Sequence, residues 1–263
     1  MAAPIFTLTT DFGAGSGYPA QMKGVLLSAH PEARIVDVSH EVPRHDVLAA
    51  ALLLEACAPW FPQRAIHVAV VDPGVGTRRR ALCAIDADGR AFVAPDNGVV
   101  TPFLGAGTRV FEIDPGRAVP HPASATFHGR DLFAPAAALL AWGADPASIG
   151  PAIADPVRLD WPVAAKGAGE VRGETVVADP FGNLLTSIRR SDLGGAPVVS
   201  AEAGGRPARG VRTYGEGEKG ELLAMVGSSG RVEVAVREES AATRLGRIRG
   251  IDVRLVLGPS ASG

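Results

Sequence analysis

The chain has 263 residues, 46% hydrophobic and 21% charged, the balance of an ordinary globular protein rather than a disordered one. With 26 basic against 28 acidic residues the formal net charge is −2, so no global positive field exists to draw nucleic acid or anionic lipid. The longest apolar run, Val47 to Leu54, falls far short of the roughly 18 residues that a membrane span requires. Met1-Ala2-Ala3-Pro4 leads straight into strand-like sequence, with no basic n-region or cleavable apolar segment. The expectation is a soluble cytoplasmic protein with no membrane and no nucleic-acid partner. Cys57 and Cys83 lie in apolar surroundings and read as buried small hydrophobes rather than as a disulfide framework.

Strand-like and helix-like segments alternate through the first two-thirds of the chain. Ile5–Thr9 is a β-branched run ending in the polar turn Thr10-Asp11-Phe12-Gly13. Met22, Val25, Leu26 and Ala29 recur at helical spacing over 20–29. Arg34–Val38 is strand-like again. Asp46 is placed to cap a helix whose apolar face runs through Leu48, Leu52, Leu53 and Ala56 until Pro59 stops it. Ile66–Val71 suits a central strand buried on both faces. Leu82–Ile85 and Ala91–Ala94 fit a hairpin around Asp88-Gly89, and Asp131 is expected to cap an alanine-rich helix through Trp142. This alternation predicts an α/β domain over 1–160 with a mostly parallel sheet, binding its ligand at the carboxyl ends of the strands.

After about residue 150, Pro151, Pro156, Pro162 and Lys166-Gly167-Ala168-Gly169 read as a connection. Beyond it Val171–Ala178, Leu184–Ile188, Gly210–Tyr214, Val232–Val236 and Gly250–Val256 are short strands, most of them separated by glycine-rich turns. A smaller all-β antiparallel barrel or sandwich is expected over 170–260.

Four polar clusters carry candidate chemistry. In Thr9-Thr10-Asp11-Phe12-Gly13, the Asp11 carboxylate is suited to a vicinal diol such as a ribose, or equally to capping the next amides. Asp72-Pro73-Gly74-Val75-Gly76-Thr77-Arg78-Arg79-Arg80 sets an acid at a strand end before a glycine turn and three arginines. That suits an ion pair in a cleft or a phosphate loop, though neither P-loop nor dinucleotide spacing is met. Thr126-Phe127-His128-Gly129-Arg130-Asp131 puts a histidine at an expected helix start. His30, His40, His45, His67 and His121 match no metal spacing, and no metal site is expected. Asp179-Pro180-Phe181-Gly182-Asn183 is strong turn chemistry that also gathers an acid, an aromatic face and an amide, a set suited to adenine.

In this order, together with Gln21-Met22-Lys23-Gly24, Asp37-Val38-Ser39-His40 and Pro95-Asp96-Asn97-Gly98, these motifs resemble the S-adenosyl-L-methionine (SAM) hydroxide adenosyltransferase family. This is the SAM hydrolase group related to fluorinase and chlorinase, and the resemblance covers about residues 5 to 256. It implies attack of water or hydroxide on the ribose C5′ of SAM, giving adenosine and L-methionine, with SAM as substrate and no cofactor. The family's Asp-Arg-His set falls on Asp72, Arg79 and His128: Asp72 and His128 would hold and deprotonate the water, and Arg79 would orient Asp72. By the same resemblance Asp11 would hold the ribose hydroxyls, and Phe181 and Asn183 would face the adenine. Asp179 and Ser228 would meet the methionine end, Val236 and Glu238 the adenine edge. His45 stands where the halogenases have a tryptophan, and Tyr18, in the loop after the first strand, would cover the substrate. Two positions depart from the pattern: Ser16 stands where many relatives have an acid reaching the methionine moiety, and Ser229 where fluorinase has an arginine. The resemblance also implies homotrimers with sites between subunits, and selectivity for the non-biological sulfonium epimer. A SAM-dependent halogenase and a non-catalytic adenosine-binding module are the alternatives.

Overall fold

The computed structural model describes residues 3–119 and 124–259, so His121 lies outside the described residues. The chain divides into two compact units, Met1–Asp160 and Trp161–Gly263. No helix of the described residues is long and apolar enough to cross a membrane.

The first unit is built on a six-stranded sheet. Its elements are β1 (Ile5–Thr10), α1 (Tyr18–Ala29), β2 (Arg34–Ser39), α2 (Val47–Cys57), β3 (Ile66–Val70), β4 (Ala81–Ile85), β5 (Ala91–Pro95), β6 (Arg109–Glu112), α3 (Pro115–Ala118), α4 (Ala134–Ala141) and α5 (Pro146–Ile149). The strand order is β2-β1-β3-β5-β4-β6. β2, β1, β3 and β5 run parallel, whereas β4 joins β5 and β6 antiparallel. The mostly parallel sheet and the hairpin around Asp88-Gly89 are therefore present. β3 is central and every one of its residues is buried, as its apolar run predicts. Its one polar member, His67, meets Thr7 Oγ1 through Nδ1 at 2.8 Å and stacks on Phe92 at 5.1 Å, while its buried Nε2 has no hydrogen-bond partner among the described residues. Asp46 caps α2 as expected, Oδ1 accepting from the Ala49 amide at 2.9 Å.

Three sequence expectations differ here. Asp131 is not a helix cap: it sits inside a π-helical turn over Gly129–Phe133 that runs into α4. Pro135 lacks an N–H and its ring crowds the carbonyl four residues back, so a widened turn ahead of it keeps the helix continuous. Tyr18 opens α1 rather than lying in the preceding loop. Cys83 is buried, but Cys57 is only half-buried at the end of α2.

The stretch read as a connection is partly pinned to the first unit. The Ile153 amide donates to Val110 O (2.9 Å), Val157 N to Asp96 Oδ1 (2.7 Å) and Leu159 N to Thr101 Oγ1 (2.9 Å).

The second unit contains β7 (Ala165–Gly167), β8 (Glu170–Ala178), β9 (Leu184–Arg189), β10 (Val198–Ala203), β11 (Arg206–Gly210), β12 (Leu222–Val226), β13 (Arg231–Val236), α6 (Ala241–Leu245) and β14 (Asp252–Leu257). β14 pairs with β8 and closes the strands from β8 to β14 into a seven-stranded barrel, with β7 added along β8. All pairings are antiparallel except β11 with β12. Alternate residues point inward and form a core that includes Leu184, Ile188, Val232, Val234, Val253 and Leu255. Gly210–Tyr214 is not a strand. β11 ends at Gly210, and Tyr214 starts a short 3-10 turn fixed by reciprocal bonds between Thr213 and Glu216. Nor is Lys166-Gly167 a linker, since both residues lie in β7 and pair with β8.

Candidate active site

Asp72 lies two residues past the carboxyl end of β3, where a parallel sheet presents its ligands. A tight turn brings Arg79 back onto it. Thr77 Oγ1 donates to Gly74 O at 2.7 Å and accepts from the Arg79 amide at 3.3 Å. Gly76 adopts φ +75°, and a Cβ there would stand 2.7 Å from Ala125 O, so this turn needs glycine to lie against the segment leading to His128. Arg79 Nε donates to both Asp72 carboxylate oxygens at 3.0 Å, and its Nη2 donates to Oδ2. The pair is secluded, with side chains 10% and 5% exposed. The same Nη2 lies 2.8 Å from His128 Nδ1.

A guanidinium can only donate, so Nδ1 of His128 is the acceptor and the neutral ring carries its proton on Nε2. Burial, and then the Arg79 charge, push the His128 pKa below the ordinary histidine value, opposed by Asp72 and Asp131. His128 is held at the entrance to the π turn, whose widened geometry sets its angle. Of the three arginines only Arg79 reaches Asp72: Arg80 pairs with Asp96 and Asp155 at 2.8 Å, and Arg78 is exposed. The Pro95–Gly98 motif is a support, because Asn97 Nδ2 donates to Val71 O at 2.8 Å beside Asp72.

Asp72 and His128 open into a cavity of about 250 Å³ lined also by Asp11, Phe12, Tyr18, Arg44, His45, Val75 and Phe127. Asp11 Oδ2 accepts from the His45 amide at 2.8 Å. His45 contributes its backbone there, in a left-handed conformation (φ 64°) that costs a non-glycine residue energy. Behind Asp11, Thr10 Oγ1 lies 2.9 Å from His40 Nδ1, His40 Nε2 is 3.0 Å from Asp37, and Lys23 pairs with Asp37 at 2.5 Å. The Lys23 and Asp37–His40 motifs thus brace the loop that carries Asp11. Phe12, Tyr18 and Phe127 form an aromatic wall with centroids 5.0–5.8 Å apart. Sequence reasoning missed Phe127 and Arg44 as lining residues, although Phe127 adjoins His128.

The remaining candidates gather in the second unit, around a cavity of about 810 Å³ lined by Asp179, Phe181, Asn183, Ser228, Val236 and Glu238. Asp179 ties its own turn together: Oδ1 accepts from the Phe181 and Asn183 amides and Oδ2 from Asn183 Nδ2, all at 2.9 Å. The turn presents Phe181 with 81% of its surface exposed. Glu238 has φ 61°; with His45 it is one of two non-glycine residues at positive φ among the described residues. Tyr214 and Glu233 were not singled out from the sequence, yet both line this cavity. Tyr214 Oη donates to Glu233 Oε2 at 2.7 Å and lies 3.5 Å from Asn183 Nδ2. Burial and the neighbouring Asp179 raise the Glu233 pKa, and the Tyr214 hydrogen bond opposes this. Among the described residues no group of three His, Cys, Asp or Glu side chains is arranged to hold a metal ion.

The family models for the SAM hydroxide adenosyltransferase N-terminal and C-terminal domains match residues 6–150 and 173–254. The chain belongs to the SAM hydroxide adenosyltransferase family. Within it, the chain is 41% identical to the (R)-S-adenosyl-L-methionine hydrolase of Thermus thermophilus, over 96% of this chain and 99% of that one. A crystal structure of an uncharacterized conserved protein from Thermotoga maritima superposes with a TM-score of 0.87 at 32% identity, covering 96% of this chain and 99% of the other. A more distant relative is the fluorinase of an Actinoplanes species, 28% identical over 72% of this chain and 73% of its own length.

Proposed function

We propose that this protein is a SAM hydrolase that releases adenosine and L-methionine by attack of water on the ribose C5′. The observation that carries the reading is the single guanidinium of Arg79 joined at once to Asp72 and His128, two residues that line the same cavity as Asp11. Asp11 holds the ribose hydroxyls through its free carboxylate lone pairs. His128 donates Nε2–H to the water oxygen and directs a lone pair at C5′, while Asp72 accepts a water proton. The C5′–S bond breaks as the C5′–O bond forms, and its electron pair neutralises the sulfonium. One proton passes to solvent through Asp72. Because the departing thioether is neutral, neither metal nor leaving-group acid is required. Positioning is the main contribution asked of the protein. Arg79 fixes both partners, a role suited to its planar fork.

Phe181 and Asn183 face the adenine, with Val236 and Glu238 at its edge; Asp179 and Ser228 lie toward the methionine, Tyr18 covers the substrate and His45 lines the reacting end. In this reading the unit over 1–160 carries the catalytic set and the barrel over 170–260 the adenine and methionine contacts. The two halves are supplied by neighbouring copies in a cytoplasmic homotrimer, with the small-molecule substrate as its ligand. Preference for the (R) sulfonium epimer is part of the proposal, since the Thermus relative bears that designation in its name. A halide nucleophile fits less well, because the Asp72 carboxylate would repel it. The test is adenosine release from SAM by the full chain and by Asp72→Ala and His128→Ala. Release by the parent chain, lost in both variants while adenosine binding persists, supports the reading. Undiminished turnover in both variants overturns the mechanism, and saturable adenosine binding without product leaves an adenosine-binding module.

A further inference from the structure

The π turn that follows His128 rests on α1, and one guanidinium ties the two together. Arg130 donates Nε to Asp131 Oδ1 at 2.5 Å and Nη2 to Asp131 Oδ2 at 2.8 Å, while its Nη1 donates to Gln21 Oε1 at 2.8 Å. Its face covers the Phe127 ring at 5.2 Å. Asp131 accepts in turn from the Ser124 amide at 3.0 Å. Arg130 thus joins α1, the aromatic wall and the chain on both sides of His128. Gly129, between them, has little room for a side chain: a Cβ would stand 3.0 Å from Phe127 Cε2 and 3.1 Å from Met22 Sδ. Gln21 and Met22 therefore both serve this turn, whereas Lys23 of the same motif serves the loop of Asp11. These polar contacts are a poor means of stabilising the fold. The Arg130 and Asp131 side chains are 37% and 18% exposed, and ion pairs so open to water contribute little net stability. Their use lies in geometry. The guanidinium fork is planar and rigid, so it fixes the angle at which the turn meets the helix. His128 depends on that angle, since its Nδ1 must stay on Arg79 for Nε2 to serve the cavity.

We propose that Arg130 is a positioning residue for the reaction: with Gln21 it locks the π turn on α1 at the angle that keeps His128 on Arg79. The inference rests on the hydrolase reading, to which it adds the support of one histidine. Arg130 touches neither water nor substrate in this account. It acts only through the orientation of His128.

The experiment measures kcat and KM for adenosine release from SAM, beside the long-range ¹H–¹⁵N NMR spectrum of the His128 ring, in the full chain and its variants. Arg130→Met removes the donors, Gln21→Leu removes the acceptor and Gln21→Glu keeps it. A misplacement of about 1 Å costs on the order of a hundredfold in rate, so Arg130→Met should lower kcat by about tenfold to a hundredfold with KM within about twofold. Gln21→Leu should lower kcat less, by about threefold to tenfold, and Gln21→Glu should restore it. Adding Gln21→Leu to Arg130→Met should cost nothing further, because both act through one contact. The parent ring should show the Nε2–H tautomer alone, and Arg130→Met and Gln21→Leu should mix in the Nδ1–H form, which a loss of stability by itself does not produce. An unchanged kcat in Arg130→Met, a loss carried by KM instead, or losses that multiply in the double variant overturn the proposal. If the parent chain releases no adenosine, the hydrolase reading falls and the spectra decide alone: mixed tautomers in Arg130→Met uphold the support of His128 by Arg130, and a single unchanged tautomer overturns it.

Discussion

Replacing Arg79 by methionine keeps much of the side chain's length and removes its charge and all its donors. Among the described residues Asp72 then keeps only the Gly74 amide at 3.2 Å, in surroundings that leave its side chain 5% exposed. Breaking a buried pair from one side costs about 3–5 kcal/mol, because a desolvated charge is left uncompensated. For a unit of this size that corresponds to a fall in melting temperature of roughly 6–20 °C. The same change has an electrostatic signature at His128. Arg79 is the one charged neighbour that lowers its pKa, whereas Asp72 and Asp131 raise it. Taking Arg79 away removes the lowering charge and keeps the raising ones, so His128 must titrate at higher pH in Arg79→Met. Because activity is assigned to the neutral ring, it falls as pH drops through that pKa, and the acid limb of the pH–rate profile should move to higher pH. The assay is an NMR titration of the His128 ring proton beside a pH series of adenosine release. An acid limb and a ring titration that stay in place, or move down, would refute the assignment of Arg79 as the shared partner.

Three further outcomes follow from the geometry. His67 is buried, and burial lowers its pKa from 6.5 to about 4. The fold therefore holds the neutral ring, and the unfolded chain takes up the proton first as pH falls. Stability is full above pH 6.5 and should decline by about 3 kcal/mol as the pH falls to 4; denaturant titrations across that window should show a slope that His67→Gln flattens. Asn97→Ala removes the 2.8 Å bond to Val71 O at a cost of about 1 kcal/mol, and should lower kcat several-fold with KM nearly unchanged, since it supports the strand end and not the ligand. Pro135→Ala restores an N–H to the helix; hydrogen exchange should then report a regular turn over Gly129–Phe133, and adenosine release should fall as His128 turns away.

Much of this architecture is legible in the residues themselves. The apolar run of β3, the capping aspartate of α2 and the Asp88-Gly89 hairpin follow from burial, side-chain geometry and turn chemistry acting within a few residues. The alanine-rich helix was visible but its start was not: Asp131 has the chemistry of a cap, and only the demand of Pro135 for a widened turn moves the start back to His128. β10 and β11 escaped because alanine, glutamate, glycine, arginine and proline weaken strand propensity there, and β12 because a five-residue apolar run, Leu222–Val226, does not by itself distinguish strand from helix; barrel closure supplies the pairing that local sequence does not signal. In the site, Asp72, His128 and the run Arg78-Arg79-Arg80 stood out beside glycine turns, the resemblance alone picked Arg79 from the three arginines, and the fold brings Asp72, Arg79 and His128 together. Tyr214 and Glu233 did not, because they stand 19 positions apart with the whole of β12 between them, and nothing in their spacing announces a contact.

The central claim is that a water oxygen replaces the sulfonium at C5′. Purified full-length protein incubated with SAM in ¹⁸O-water, with the adenosine and methionine products analysed by mass spectrometry, tests this directly. One ¹⁸O atom in the 5′-hydroxyl of adenosine, with none in methionine, is the predicted result. Failure to form adenosine, or adenosine whose 5′-oxygen is unlabelled, would contradict it.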